Sequence, residues 1–159
     1  MPLQAYEGVL EETRISESEL KSIGKQLKGL RILLAEDTEF NVMVAKDDLL
    51  WYFPESTIEV AKDGKEALSM YERTDYDLVL MDVQMPHMNG YQSTRKIREL
   101  ELSYNLKKKP IIAMTASLLE KDIQKCLNAG MDDFLPKPYR SDELVLKISR
   151  TVNHVGSLN

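Results

Sequence analysis

Cysteine is nearly absent from this 159-residue chain: Cys126 stands alone. An internal disulfide is excluded, and a reducing compartment fits best. No run reaches the about 18 consecutive apolar residues that a membrane-crossing helix requires. Residues 1–30 also lack the basic-then-apolar order of a secretory signal. A cytoplasmic location without membrane contact is therefore expected. A basic excess is missing too. Lys and Arg number 21 against 26 Asp and Glu, for a net charge of −5, so no nucleic-acid partner is expected. Neither an internal repeat nor a low-complexity tract occurs. What remains is 43% apolar and 30% charged, an ordinary globular composition. This length suits one domain plus a short appendage, burying roughly two-thirds of the unfolded surface without a structural metal.

The pattern divides the chain near residue 29. Residues 1–28 carry five acidic side chains (Glu7, Glu11, Glu12, Glu17, Glu19) and four basic ones (Arg14, Lys21, Lys25, Lys28). Ser16-Glu17-Ser18-Glu19 reads as a capping box, and Leu20, Ile23 and Leu27 follow at helical spacing. So short a helix is marginal alone and should pack on something, either its own domain or a preceding one. From residue 31 the pattern alternates. Strands are expected at 31–35, 57–61, 78–81, 110–114 and 133–135. Helices are expected around 42–53, at 65–73, 91–102 and 117–128, and at 141–152. The fourth of these is stopped by Gly130. Apolar strands alternating with amphipathic helices predict an α/β fold: a doubly wound, five-stranded parallel sheet covered on both faces, with an N-terminal helical extension.

Functional groups in such sheets gather outside the carboxyl ends of the strands. The first strand ends in Glu36-Asp37 and the third in Asp82. The fourth ends in Thr115, and the fifth is followed by Lys137. Three carboxylates brought to one edge repel one another. A hard divalent cation such as Mg²⁺ neutralises them and also accepts phosphate oxygens. Lys137 adds a fixed positive charge and Thr115 a hydroxyl donor. The set suits a phosphoryl group.

Leu33-Leu-Ala-Glu-Asp37, Val79-Leu-Met-Asp-Val-Gln-Met-Pro-His-Met-Asn-Gly90, Ile111-Ile-Ala-Met-Thr-Ala-Ser117 and Phe134-Leu-Pro-Lys-Pro138 resemble the receiver domains of response regulators in two-component signalling. They look most like receivers attached to hybrid histidine kinases, as does Cys126-Leu-Asn-Ala-Gly-Met-Asp-Asp-Phe134. The resemblance implies the flavodoxin-like receiver fold over 29–153, after an extension at 1–28 and before a tail at 154–159. It implies Asp82 as phosphoacceptor, with Mg²⁺ held by Glu36, Asp37, Asp82 and the backbone carbonyl of Gln84. Lys137 would pair with phosphoryl oxygens. Thr115 would swing toward the phosphoryl group, and Phe134 would change rotamer in step with it. The donor would be a histidine kinase or a histidine phosphotransfer protein. A cis Lys137–Pro138 bond is implied as well, and Gln84 and Ser117 would tune the lifetime of the phosphorylated form.

Each residue also has a plainer use. Glu36-Asp37 suits a helix N-terminus, Thr115 suits a cap, and Phe134 suits a core. Lys107–Lys109 reads as a solvated loop, and Trp51 and Tyr52 as contacts for the N-terminal segment. Rival functions are disfavoured. A metal-dependent phosphatase would need a second acid near Asp82, where Gln84 offers an amide, and a substrate cap, for which no insertion exists. A nucleotide-binding protein would need a Gly-rich loop after the first strand. An interaction module retaining only the fold would not need the full set of acids, Thr115 and Lys137. Seven residues follow the last expected helix, so no DNA-binding output is expected and the readout should be a protein contact.

Overall fold

A computed structural model describes residues 15–157. Residues 1–14 of the extension and 158–159 of the tail lie outside the described residues. The elements follow in the order α1 (Glu17–Gln26), β1 (Arg31–Ala35), α2 (Glu39–Tyr52), β2 (Thr57–Ala61), α3 (Gly64–Arg73), β3 (Leu78–Asp82), α4 (Gly90–Ser103), β4 (Ile111–Thr115), α5 (Glu120–Ala129), β5 (Asp133–Pro136) and α6 (Ser141–Ser157). The strands form one parallel sheet in the order β2-β1-β3-β4-β5.

Alternation along the strands divides the interior into two cores, because successive side chains point to opposite faces. Ile32, Leu34, Leu78, Leu80, Ile112 and Met114 face α1, α2 and α6, meeting Leu20, Leu49, Leu144 and Ile148. Leu33, Val79, Met81, Ile111 and Ala113 face α3, α4 and α5, meeting Ala67, Tyr71, Ile97 and Cys126. Strands β3 and β4 are buried throughout. This is why they read as unbroken apolar runs. The expected doubly wound α/β sheet is the observed one.

Tight packing ties the helices to the strand ends. The backbone at Gly90 passes so close to β3 that an added Cβ would sit 2.3 Å from the Asp82 carbonyl oxygen. Asn89 and Gln92 close a full capping box at the same helix start. The box expected at Ser16 is half made, with the Glu19 N–H donating to Ser16 Oγ at 3.2 Å.

Three expectations need correction. Helix α5 begins at Glu120 rather than Ser117. The hydroxyls intervene: Ser117 N–H donates to Thr115 Oγ1 at 3.1 Å and Leu119 N–H to Ser117 Oγ at 3.3 Å. Side chains that satisfy amides locally delay the helix. Helix α6 runs five residues past the expected end at Val152, to Ser157, with no proline to stop it. Lys109 is not solvated. Its N–H donates to buried Glu101 at 2.9 Å and its Nζ lies 3.3 Å from Asp75. Glu101 also accepts from Tyr71 Oη at 2.6 Å and Arg98 at 2.8 Å, and Arg98 reaches Asp132 at 2.9 Å. A buried carboxylate requires such a full set of donors. Burial, then the adjacent Glu101, drive the Tyr71 phenol well above its ordinary range.

Helix α1 packs on its own domain, with Leu20 buried and Ile15, Ile23 and Leu27 joining the first core. Trp51 and Tyr52 meet it. Trp51 Nε1–H donates to Glu17 at 2.9 Å, Tyr52 Oη–H donates to the same carboxylate, and Lys21 Nζ stands 3.7 Å over the Trp51 ring. Burial of one large apolar side chain is worth roughly 1.5–3 kcal/mol. Docking therefore sustains a helix too short to persist alone.

Candidate functional site

Sheet register assembles the site. Ala35 pairs with Met81, so the next residues, Glu36 and Asp82, come side by side. The order of strand addition reverses here, with β2 on one side of β1 and β3 on the other. Thr115 pairs with Pro136, which sets Lys137 one residue beyond the same edge. Lys137 N–H donates to the Thr115 carbonyl at 2.7 Å and fixes that turn. The Lys137–Pro138 bond is cis, as expected.

The carboxylates of Glu36, Asp37 and Asp82 each offer an oxygen within 4.8 Å of the others. Asp37 is exposed, whereas Glu36 and Asp82 are buried. Lys137 Nζ donates to Glu36 at 2.6 Å and to Asp82 at 3.0 Å. The Gln84 N–H donates to Asp82 Oδ1 at 3.2 Å. Glu36 Oε1 accepts from Thr38 N–H at 3.2 Å and from Asn41 at 3.4 Å.

The two buried acids titrate in opposite directions. Burial and then the neighbouring Glu36 charge push the Asp82 carboxyl up to about 6, against the pull of Lys137. Burial also raises Glu36, but the Lys137 ammonium, the Thr38 N–H and the Asn41 amide outweigh it and hold Glu36 below its ordinary value. Burial opposes the Lys137 charge. Its two carboxylate partners overcome that and raise its pKa. At pH 7 Asp82 remains mostly ionised, a stronger base than its sequence context suggests.

One open cleft of about 650 Å³ collects Glu36, Asp37, Asp82, Gln84, Thr115 and Lys137. Seven of the eight residues given a role at the site in the sequence, Ser117 among them, thus line one cleft. Phe134 does not line it. Its ring packs at the edge of the second core with Lys147 Nζ 4.4 Å from the centroid. The sequence reading missed Asn41, Asp122 and Lys125, which reach the cleft from helices. All-oxygen acids beside a lysine and a hydroxyl form a donor set for a hard cation and a phosphoryl group.

The model of the response regulator receiver domain matches residues 32–149. The aerobic respiration control sensor protein ArcB of Escherichia coli K12 is 41% identical over 124 residues, which are 78% of this chain and 15% of that protein. The chain spans only 6–17% of the length of the first curated relatives, histidine kinases of rice, Dictyostelium and Escherichia coli. Among solved structures it is similar to the receiver domain of the sensor histidine kinase PA1611 from Pseudomonas aeruginosa, which holds a magnesium ion in its active-site cleft. The TM-score is 0.69 at 38% identity, over 79% of this chain and 98% of that one. It is also similar to the receiver domain of Saccharomyces cerevisiae Ssk1, solved with the histidine phosphotransfer protein Ypd1. There the TM-score is 0.72 at 27% identity, over 78% of this chain and 89% of that one. Sheet order, strand-end chemistry and sequence agree across one continuous stretch, and the chain belongs to the response regulator receiver domain family of two-component signalling.

Proposed function

We propose that this receiver accepts a phosphoryl group on Asp82 from the phosphohistidine of a histidine kinase or a histidine phosphotransfer protein, and that the added charge switches its protein contacts. The observation that carries this reading is the Asp82 carboxylate. It lies at the floor of an open cleft, gripped by Lys137 at 3.0 Å and faced by two further acids.

Glu36, Asp37, Asp82 and the Gln84 carbonyl would hold Mg²⁺. When bound, Mg²⁺ supplies charge neutralisation for the acids and the incoming phosphoryl oxygens. The chain's own residues do the rest. An Asp82 oxygen forms the new bond to phosphorus while the phosphorus–nitrogen bond of the donor breaks. The bonding electrons leave with the imidazole nitrogen, which takes a proton from water. No general base is needed, because Asp82 is already an anion at pH 7. Lys137 stays beside the transferred oxygens and balances their charge. Thr115 then donates its hydroxyl to one of them. Phe134 follows by changing rotamer, and the surface around α5, β5 and α6 reads the change. Hydrolysis of the acyl phosphate by the same site resets the domain. In this reading the receiver unit is 29–153, with α1 docked on it.

Incubation with acetyl phosphate, followed by intact mass, tests the proposal. Wild type should gain one phosphoryl group only with Mg²⁺, and Asp82→Asn should gain none. Labelling of folded Asp82→Asn would overturn the assignment.

A further inference from the structure

The loop between β4 and α5 is held by three side chains in series. Thr115 Oγ1–H donates to the Ser117 carbonyl at 3.1 Å, and Ser117 N–H donates back to Thr115 Oγ1 at 3.1 Å. Ser117 Oγ–H donates to Asp122 Oδ2 at 2.6 Å. Asp122 sits in the first turn of α5, where its charge is favoured by the helix N-terminus. Thr115 is 5% exposed and Asp122 20%, and both line the Asp82 cleft. The hydroxyl nearest the phosphoacceptor edge therefore points its proton into its own loop, and an acid on a rigid helix anchors that loop.

We infer that Asp122 is a positioning residue: through Ser117 it holds Thr115 in the resting orientation and sets how readily Thr115 turns to a phosphoryl group on Asp82. This rests on the function proposed above. For Thr115 to donate to a phosphoryl oxygen, its bond to the Ser117 carbonyl has to break. That carbonyl belongs to a residue whose side chain Asp122 fixes at 2.6 Å. A charge-assisted bond of this length is among the stronger kinds. The helix gives Asp122 little freedom to follow the loop, so the brace opposes the switch. Lys125, 3.9 Å from Asp122 and exposed, is too solvated to contribute much.

Two sets of measurements decide the matter. In the unphosphorylated protein, amide hydrogen exchange at Ser117 and Leu119, together with the Thr115 χ1 coupling, reports the brace directly. Asp122→Ala should speed the exchange and loosen Thr115. In the second set, beryllofluoride with Mg²⁺ stands in for the phosphoryl group. Asp122→Ala should bind it roughly two- to tenfold tighter, the equivalent of one released hydrogen bond. Ser117→Ala should do the same, and the double variant should add nothing further. Asp122→Asn keeps an acceptor for Ser117 but loses the charge assistance, and should fall between wild type and Asp122→Ala. Unchanged exchange and Thr115 rotamer in Asp122→Ala would overturn the inference. So would Asp122→Asn matching Asp122→Ala, which would assign the effect to charge alone. Failure of wild type to bind beryllofluoride would count against the phosphoacceptor reading, and the exchange data would still judge the brace.

Discussion

Asp82 carries a cost that its removal should reveal. Its carboxyl titrates near 6 in the folded chain, against an ordinary 3.8. A carboxylate raised on folding is destabilising above its folded pKa. The penalty fades as pH falls and vanishes below the unfolded value. The gap of about 2 units bounds the penalty at about 3 kcal/mol, and loss of the Lys137 contact reduces what Asp82→Asn can recover. Without Mg²⁺, Asp82→Asn should be more stable than wild type by about 1–2 kcal/mol at pH 7.5, and by almost nothing near pH 4. Urea melts at the two values check this, and an advantage that grows in acid would refute it. Mg²⁺ should stabilise wild type more than Asp82→Asn, because the variant offers one charge fewer. The acids, Thr115 and Lys137 were legible in the sequence because each closes or follows a strand. Asn41, Asp122 and Lys125 were not. Which way a helical side chain faces over the sheet edge is settled by packing, and no strand marks its position. The upward shift of Asp82 was equally hidden, since it comes from burial in the folded chain and then from Glu36 brought alongside by register.

Helix α1 adds a clasp to the fold. The approach at Gly24 is so close that a Cβ there would meet the Tyr52 carbonyl oxygen at 1.8 Å. Gly24→Ala should force α1 away from α2, with a loss of about 1–3 kcal/mol, the usual cost of overpacking. Trp51 is the single tryptophan of the chain, and Glu17 and Lys21 both touch it. Its emission should change in Gly24→Ala and in Glu17→Ala, and an unaltered spectrum would argue that the contact does not persist in solution. The clasp was half visible beforehand. A tryptophan and a tyrosine at the end of a helix asked for a partner, and a capped helix of marginal length asked for a platform. The five strands and the order of the helices were readable from apolar periodicity. The start of α5 was not, because the hydroxyls of Thr115 and Ser117 compete with helix formation only in the folded turn. The role of Lys109 was hidden for a similar reason. Its partners lie on other elements, at Asp75 and Glu101.

At the scale of the molecule, one sheet separates two cores and is shared by both. Strands buried on both faces leave neither core able to melt alone. Unfolding should therefore be a single transition. Cys126 is 1% exposed in the second core, so its thiol labels only when that core opens. Cys126 labelling and far-UV circular dichroism should give the same urea midpoint. Earlier labelling would show the α3–α4–α5 face opening on its own. The sequence indicated the two-faced sheet through its apolar strands. It did not indicate how the buried Glu101 is satisfied, since Tyr71 and Lys109 join Arg98 of its own helix from other parts of the chain.

The bond between Lys137 and Glu36 joins residues 101 positions apart. A chain emerging from the ribosome exposes all three acids long before the lysine that balances them. Until β5 is extruded and seated beside β4, the pocket has its repulsions and lacks their remedy. A truncated product can keep most of the apolar interior and still have no balanced pocket. The last strand thus serves as a certificate of assembly: the acids are balanced only in a copy whose β5 has been made and seated beside β4.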